Sequence, residues 1–352
     1  MKKTTRSIIR IALLLGAVVS LFFVPWLLVK AWILPLPDTV QEQLNQGIEL
    51  GFSGMIVYVD RAGNGTEQYA AGWHDRENKI PAKPDALFKI ASISKLYVAV
   101  TIAKLAARGT ISIDDKLSRH FPELEGEIEY ADRITIKMLV EHRSGIPNYT
   151  DTENYWASPE ETYQGKLNLV LGLPANFKPG ENYEYSNTNY LLLRELMDRA
   201  LGYNYFEFVK VEILDPLELK NTYQYLDDVD TNLVMSGYHE GYPHDLKYDN
   251  VGMISTAEDL AKFIRALNEG KLFNNNEEEI YSSIYKFGHT GLVPGYQSIA
   301  RYHPDIDAVV IQFSGPTSIK GYNWNLSNII YSRILDILRN NVSDFDQSSS
   351  KV

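Results

Sequence analysis

The sequence predicts an α/β (α+β) domain: an antiparallel sheet flanked by helices, with an inserted all-helical subdomain, behind an N-terminal transmembrane helix. Strand-like runs lie at both ends of the body, helix-like runs fill its middle, and a long apolar stretch precedes it. With 352 residues, 45% hydrophobic and 22% charged, the chain can bury a large core and has no low-complexity bulk. The expected division is a cytoplasmic stub and anchor over 1–36, one domain over 37–340, and a Ser/Asp-rich disordered tail over 341–352.

From Ile11 to Val29 the chain is almost unbroken apolar sequence, preceded by Lys2, Lys3, Arg6 and Arg10 and followed by Lys30. Such a run, at about 1.5 Å per residue, crosses a hydrocarbon core of about 30 Å. The cations place the N-terminus in the cytoplasm and the body outside, as a single-pass protein of the cell membrane. A cleaved signal peptide fits less well. There is no Ala-x-Ala site, Val18-x-Ser20 is a poor substitute, and the apolar run continues through Trp26 and Leu28.

Pro35-Leu36-Pro37-Asp38 punctuates the exit, and an amphipathic helix is expected from Thr39 to Leu50. Gly54–Asp60 reads as a buried strand, Arg61–Gly65 as a turn and Tyr69–Trp73 as the return strand of a hairpin. An amphipathic helix opens near Lys95 and closes at Arg108-Gly109. Further helices are expected over Ile134–His142, Asn189–Leu201 (closed by Gly202) and Thr256–Gly270. Strand pattern returns at Gln297–Tyr302 and Asp307–Phe313, and Asn328–Arg339 is the last helix.

The formal net charge is −11; the first 36 residues carry five cations and no acid, which leaves −16 on the remainder. So acidic a body excludes nucleic acid as a partner, because phosphate neutralisation needs clustered Lys and Arg. Without cysteine the chain has no disulfide, thiolate metal site or Cys nucleophile. His239-Glu240 and His244-Asp245 lack the helical spacing of a metal site and lie in a Gly/Pro/Tyr-rich loop; no metal or cofactor is expected. His142 fits a structural role at a helix end, and the 23 tyrosines fit packing and sheet surface, or a rim that binds glycan or peptide.

The chemistry lies in three short motifs. S-x-x-K occurs three times, at Ser92/Lys95, Ser283/Lys286 and Ser348/Lys351. Only Ser92 sits at a strand-to-helix turn, where backbone N–H groups and the helix dipole favour developing negative charge. Positions three apart share a helix face, so Lys95 reaches the Ser92 hydroxyl and, if desolvated, can accept its proton. Tyr185-Ser186-Asn187 follows a turn and precedes a well-formed helix, unlike the second Y-x-N at Tyr248-Asp249-Asn250. Tyr185 is expected to shuttle a proton, its phenol acidified by Lys95, and Asn187 to hold Lys95 and a substrate carbonyl. His289-Thr290-Gly291 opens an edge strand. There His289 and Thr290 would offer a cation and a hydroxyl to a substrate carboxylate, Gly291 would admit the substrate backbone, and Leu292 N–H would complete an oxyanion hole with Ser92 N–H.

In this order the motifs resemble the serine beta-lactamase-related family: class C beta-lactamases, low-molecular-weight D-Ala-D-Ala carboxypeptidases, and related esterases and D-amino-acid peptidases. The resemblance extends through Leu139–Pro147, Tyr185–Tyr190, Pro216-Leu217 with Asn221-Thr222, Gly252–Leu260, and Gly288–Gly291 with Pro294-Gly295-Tyr296. It implies a beta-lactamase-like fold with Ser92 as nucleophile, Lys95 and Tyr185 as the acid/base pair, and His289-Thr290-Gly291 as the carboxylate-binding strand. It also implies a penicillin-binding-protein-like serine hydrolase acting on cell-wall D-alanyl peptides or esters. A promiscuous carboxylesterase and a non-catalytic wall-binding protein are the alternatives.

Two departures from the family pattern stand out. Asn274–Tyr285 is short and acidic where members often carry an extra strand, so a more open rim is expected. His289 replaces the usual Lys, which would make the carboxylate-binding charge depend on pH and favours slow acylation, peptidase or esterase action over efficient beta-lactam hydrolysis.

Overall fold

The computed structural model describes residues 3–349 apart from 64, 275, 317 and 319–322. The transmembrane helix expected over Ile11–Val29 does not form as one piece. Helix α1 (Lys3–Leu21) ends four residues before Pro25, and α2 (Trp26–Ile33) begins after it. Proline has no N–H to give the Leu21 carbonyl, and its ring clashes there; that carbonyl takes the Trp26 indole N–H at 2.9 Å instead. Among the described residues no single helix is long and apolar enough to cross a membrane, although Arg10–Leu21 and Trp26–Ile33 qualify as a pair bent by 78°.

Helix α3 (Val40–Glu49) starts on a capping box: the Thr39 hydroxyl accepts the Glu42 N–H, and the Glu42 carboxylate accepts the Thr39 N–H. Strands β1 (Gly54–Arg61), β2 (Gly65–Asp75) and β3 (Ile80–Pro81) follow as antiparallel neighbours. After the short β4 (Phe88–Lys89), a 3₁₀ turn at Ala91–Ile93 leads into α4 (Ser94–Ala107). This helix is not amphipathic: every residue from Ser94 to Leu105 is buried.

A helical region then intervenes, with α5 (Leu117–His120), α6 (Ile136–Val140), α7 (Tyr163–Asn168), α8 (Asn187–Leu201) and α9 (Tyr205–Val209). Gly202, in the left-handed conformation at φ 77°, ends α8 as expected. Strands β5 (Thr222–Tyr223) and β6 (Ile254–Ser255) join β4 in a three-stranded sheet. Next come α10 (Ala257–Asn268), α11 (Glu277–Ile284), β7 (His289–Val293), β8 (Tyr296–His303), β9 (Ala308–Ser314) and α12 (Asn323–Ser349). The segment expected to be disordered thus continues α12 as far as Ser349, and 350–352 lie outside the described residues.

The main sheet has the order β3-β2-β1-β9-β8-β7, and its neighbouring strands pair antiparallel. Its central strands are buried on both faces. Met55, Val57, Val59 and Val310 join α2, α3 and α12 in one core, while Ile56, Tyr58, Ile311 and Phe313 join α4, α10 and the helical region in the other. Successive strand residues face opposite layers, so β1 and β9 read as continuous apolar runs. Arg333 of α12 ties the N-terminal segment to this body, donating to the Leu34 and Pro35 carbonyls at 2.9 and 2.7 Å. β7 is left as an edge strand.

Candidate active site

Ser92 lies in the 3₁₀ turn that delivers the chain from β4 to α4. Strand β4 is held by β6, and Ile90 N–H donates to the Met253 carbonyl at 3.0 Å. Ala91 adopts φ +51°, a left-handed conformation sparsely used by non-glycine residues and found where surrounding structure over-determines the backbone. That surrounding structure is β7–β8. The Ser298 hydroxyl donates to the Ile90 carbonyl at 2.9 Å, and a Cβ on Gly291 would meet that same oxygen at 2.3 Å. Gly291 therefore lets the turn that carries Ser92 pack against β7.

Ser92, Lys95, Tyr185 and Asn187 converge. The Tyr185 hydroxyl donates to Ser92 Oγ at 2.7 Å, and Lys95 Nζ lies 3.3 Å from the same oxygen. Lys95 Nζ also donates to Asn187 Oδ1 at 2.8 Å, while Asn187 Nδ2 donates to Thr150 Oγ1 at 3.1 Å, fixing which end of the amide faces the lysine. Asn187 N–H donates in turn to Asn148 Oδ1 at 2.9 Å. Asn148 and Thr150 were not singled out from the sequence. They flank and form a short 3₁₀ turn, and only the fold brings that turn to α8.

Among the described residues no anion compensates Lys95. Burial, then the cations Arg194 and Lys286, hold its amine well below the usual lysine value. Lys95 is therefore equipped to be a neutral base. Tyr185 departs from expectation in the opposite sense: burial outweighs the Ser92 hydrogen bond and pushes the phenol up to about 12, so it is not acidified. The imidazole of His142, expected only to be structural, sits after α6 at φ +58° with its centroid 4.4 Å from that of Tyr185. His142 Nδ1 accepts Ser186 N–H at 3.2 Å, and burial followed by Lys95 and Lys286 pulls its pKa down to about 3.

His289 overturns the expectation of a pH-dependent cation. Its side chain is 5% exposed, and its pKa is lowered to about 3 by burial first and then by Lys286. Nδ1 bonds the Thr290 carbonyl; a carbonyl only accepts, so Nδ1 carries the proton and buried Nε2 is left a lone pair without a partner. The rest of the motif is placed at the free edge. Val293 and Tyr296 flank the Pro294-Gly295 turn and pair, so alternation puts Thr290 and Leu292 in non-hydrogen-bonded positions with their N–H groups pointing away from β8.

The short Asn274–Tyr285 segment forms α11 and packs on α4 through a buried ion pair, Lys104 Nζ to Glu277 Oε2 at 3.0 Å. Beyond the far end of β7, Trp156, Tyr242, Val251, Val293 and Pro294 line a mostly apolar recess. Gly252, at its border, lies 3.9 Å from Ala91 when given a Cβ. The second Y-x-N falls elsewhere: Tyr248 is exposed, and Asn250 Oδ1 accepts Leu226 N–H. His244 pairs with Asp249 at 2.9 Å, and among the described residues no group of His, Asp and Glu is placed to hold a metal ion.

The chain is similar to penicillin-binding protein 4* of Bacillus subtilis (strain 168), with 25% identity over 281 residues, 79% of this chain and 60% of that protein. It is 30% identical over 187 residues to protein flp of Staphylococcus aureus (strain MW2), covering 53% of this chain and 37% of that protein. The chain thus spans between about a third and three fifths of the length of these relatives. Among solved structures, D-amino acid amidase from Ochrobactrum anthropi SV3 complexed with D-phenylalanine matches with TM-score 0.76 at 21% identity, over 86% of this chain and 98% of that one. A penicillin-binding protein from Bacillus halodurans matches with TM-score 0.71 at 20% identity, over 85% and 100%. At those identities the structures establish a shared fold. The beta-lactamase family model matches residues 38–283, which takes in Ser92, Lys95 and Tyr185, and the chain belongs to that family.

Proposed function

We propose that this protein is a penicillin-binding-protein-like serine hydrolase that forms an acyl-enzyme on Ser92. The observation that carries the reading is Lys95: buried, surrounded by cations instead of carboxylates, and 3.3 Å from Ser92 Oγ. A neutral amine there takes the Ser92 proton as Oγ attacks the substrate carbonyl. The oxyanion is met by the N–H groups of Ser92 and Leu292. As the tetrahedral adduct collapses, the leaving group takes the proton of Tyr185, a phenol still protonated at neutral pH, and the Lys95 ammonium restores it. Water then releases the acyl group.

Cell-wall D-alanyl peptides or esters are the proposed substrates, supported by the family and by the penicillin-binding relatives. The N-terminal segment, with Ile11, Leu14, Phe22 and Phe23 exposed and four of its five flanking cations on the N-terminal side, supports anchoring in the cell membrane with the catalytic body outside. A carboxylesterase is the second reading, favoured by the uncharged His289.

The full chain in detergent, incubated with a fluorescent penicillin and weighed intact beside Ser92→Ala, tests the proposal. A covalent adduct on the wild type alone is expected. The reading is refuted if neither the penicillin nor an activated D-alanyl ester reacts through Ser92.

A further inference from the structure

We infer that Lys286, on the segment leading into β7, is the cation that receives the free carboxylate of a peptide or depsipeptide substrate, in place of the uncharged His289. The inference rests on the acyl-enzyme reading above.

β7 itself supplies no charge. His-Thr-Gly-Leu-Val contains no Lys or Arg, and the Nδ1–H of its buried histidine is already given to Thr290 O. A substrate carboxylate lying along the free edge would meet the Thr290 side chain and backbone N–H groups, but no cation from this strand.

Two cations act on Lys95, Arg194 and Lys286. Arg194 is part of the α4–α8 packing: its Nη2 donates to Ser94 Oγ at 3.1 Å and it is half-buried. Lys286 is the solvent-facing one, and among the described residues it makes no ion pair within 4.0 Å. Partial burial and the neighbouring Arg301 lower the Lys286 amine from its ordinary value, and with no Asp or Glu paired to it among the described residues, a bound anion would be its compensating partner.

The placement is defined by the fold. Tyr281, fully buried, donates its hydroxyl to the Lys286 carbonyl at 2.5 Å and anchors the backbone there. Lys286 Nζ lies 5.9 Å from the Tyr285 ring centroid, and that ring stacks on His289 at 5.9 Å and 19°. Tyr285 also lies 6.0 Å from Tyr190, whose ring is 5.1 Å from Lys95 Nζ. Lys286 therefore stands at the outer end of a short chain of aromatic contacts that begins at the base. The ammonium is a point charge on a flexible stem, able to meet a carboxylate without bidentate geometry. Lys286 belongs to the second S-x-x-K, and this role needs the lysine and not Ser283.

The test compares wild type, Lys286→Gln and Lys286→Arg on one acyl-D-alanyl-D-lactate depsipeptide, offered as the free acid and as its carboxamide. The wild type is expected to prefer the acid in kcat/KM by on the order of tenfold, the scale of one partly exposed charge-assisted contact. Lys286→Gln should slow the acid by about tenfold more than the carboxamide, whose turnover falls only as far as the lost cation lets Lys95 take up a proton, a loss that raising the pH reverses; Lys286→Arg should retain most of the preference and of the carboxamide rate. Persistence of the preference in Lys286→Gln, equal slowing of both substrates, or no preference in the wild type would each overturn the assignment. Absence of any Ser92-dependent turnover in the wild type would instead bring down the hydrolase reading, and this one with it.

Discussion

Lowering the pH should unfold this protein in part through His289, and replacing that histidine should remove a defined share of the effect. In the fold the imidazole is held neutral down to about pH 3; in the unfolded chain it takes up a proton near the ordinary 6.5. Between those values the unfolded state binds more protons than the folded one, so stability is intact above 6.5 and is lost as the pH falls towards 3. At pH 5 the unfolded imidazole is almost fully protonated and the native one is not. With one pH unit worth 1.36 kcal/mol, that difference amounts to about 2 kcal/mol for His289. Urea unfolding at pH 7.5 and pH 5.0 would measure it. His289→Gln lowers stability at both pH values by whatever its packing costs, but its loss between them should be about 2 kcal/mol smaller than that of the wild type. An unchanged pH dependence would refute the buried neutral histidine and revive the charged one expected from the motif.

The Lys104–Glu277 pair, with both side chains at or below 6% exposed, makes a second prediction. Lys104→Met strands the Glu277 carboxylate with, among the described residues, the Asn274 N–H as its remaining partner and should cost about 3–5 kcal/mol in chemical denaturation, whereas Lys104→Met with Glu277→Leu should recover most of it. Equal losses in the single and double variants would mean that the cost is packing and not an uncompensated charge. Gly291→Ala forces a methyl against the Ile90 carbonyl and so displaces the turn that carries Ser92. Its kcat for an activated D-alanyl ester should drop by about a hundredfold, the scale of a 1 Å misplacement, and an unaltered kcat would remove Gly291 from the support of the nucleophile.

Much of the site was legible because its chemistry is local. Ser92 and Lys95 are one helical turn apart, and Tyr185 and Asn187 bracket the start of α8; helix geometry alone decides which way such neighbours point. The strands β1, β8 and β9 and the helices α3, α8 and α10 were likewise expected close to their observed bounds, because apolar pattern and capping residues mark them. Pro25 is equally legible, and its power to stop a helix outweighs the hydropathy around it.

What remained hidden depends on distant chain segments meeting. Tyr185 was expected to be acidified and His289 to carry charge because each was judged by its neighbours in the motif. In the fold, desolvation outweighs those neighbours and holds both groups neutral. Asn148 and Thr150 orient Asn187 from a loop with no signature of its own, and the value of Gly291 lies in a carbonyl two hundred residues earlier in the chain. Covalent spacing and helix period are enough to set which reactive groups are present and in what order. Tertiary structure decided which groups are charged, which are buried and which backbone edge faces them. Free energies of ionisation depend on solvent and on charges brought near through space, and neither is encoded in spacing along the chain.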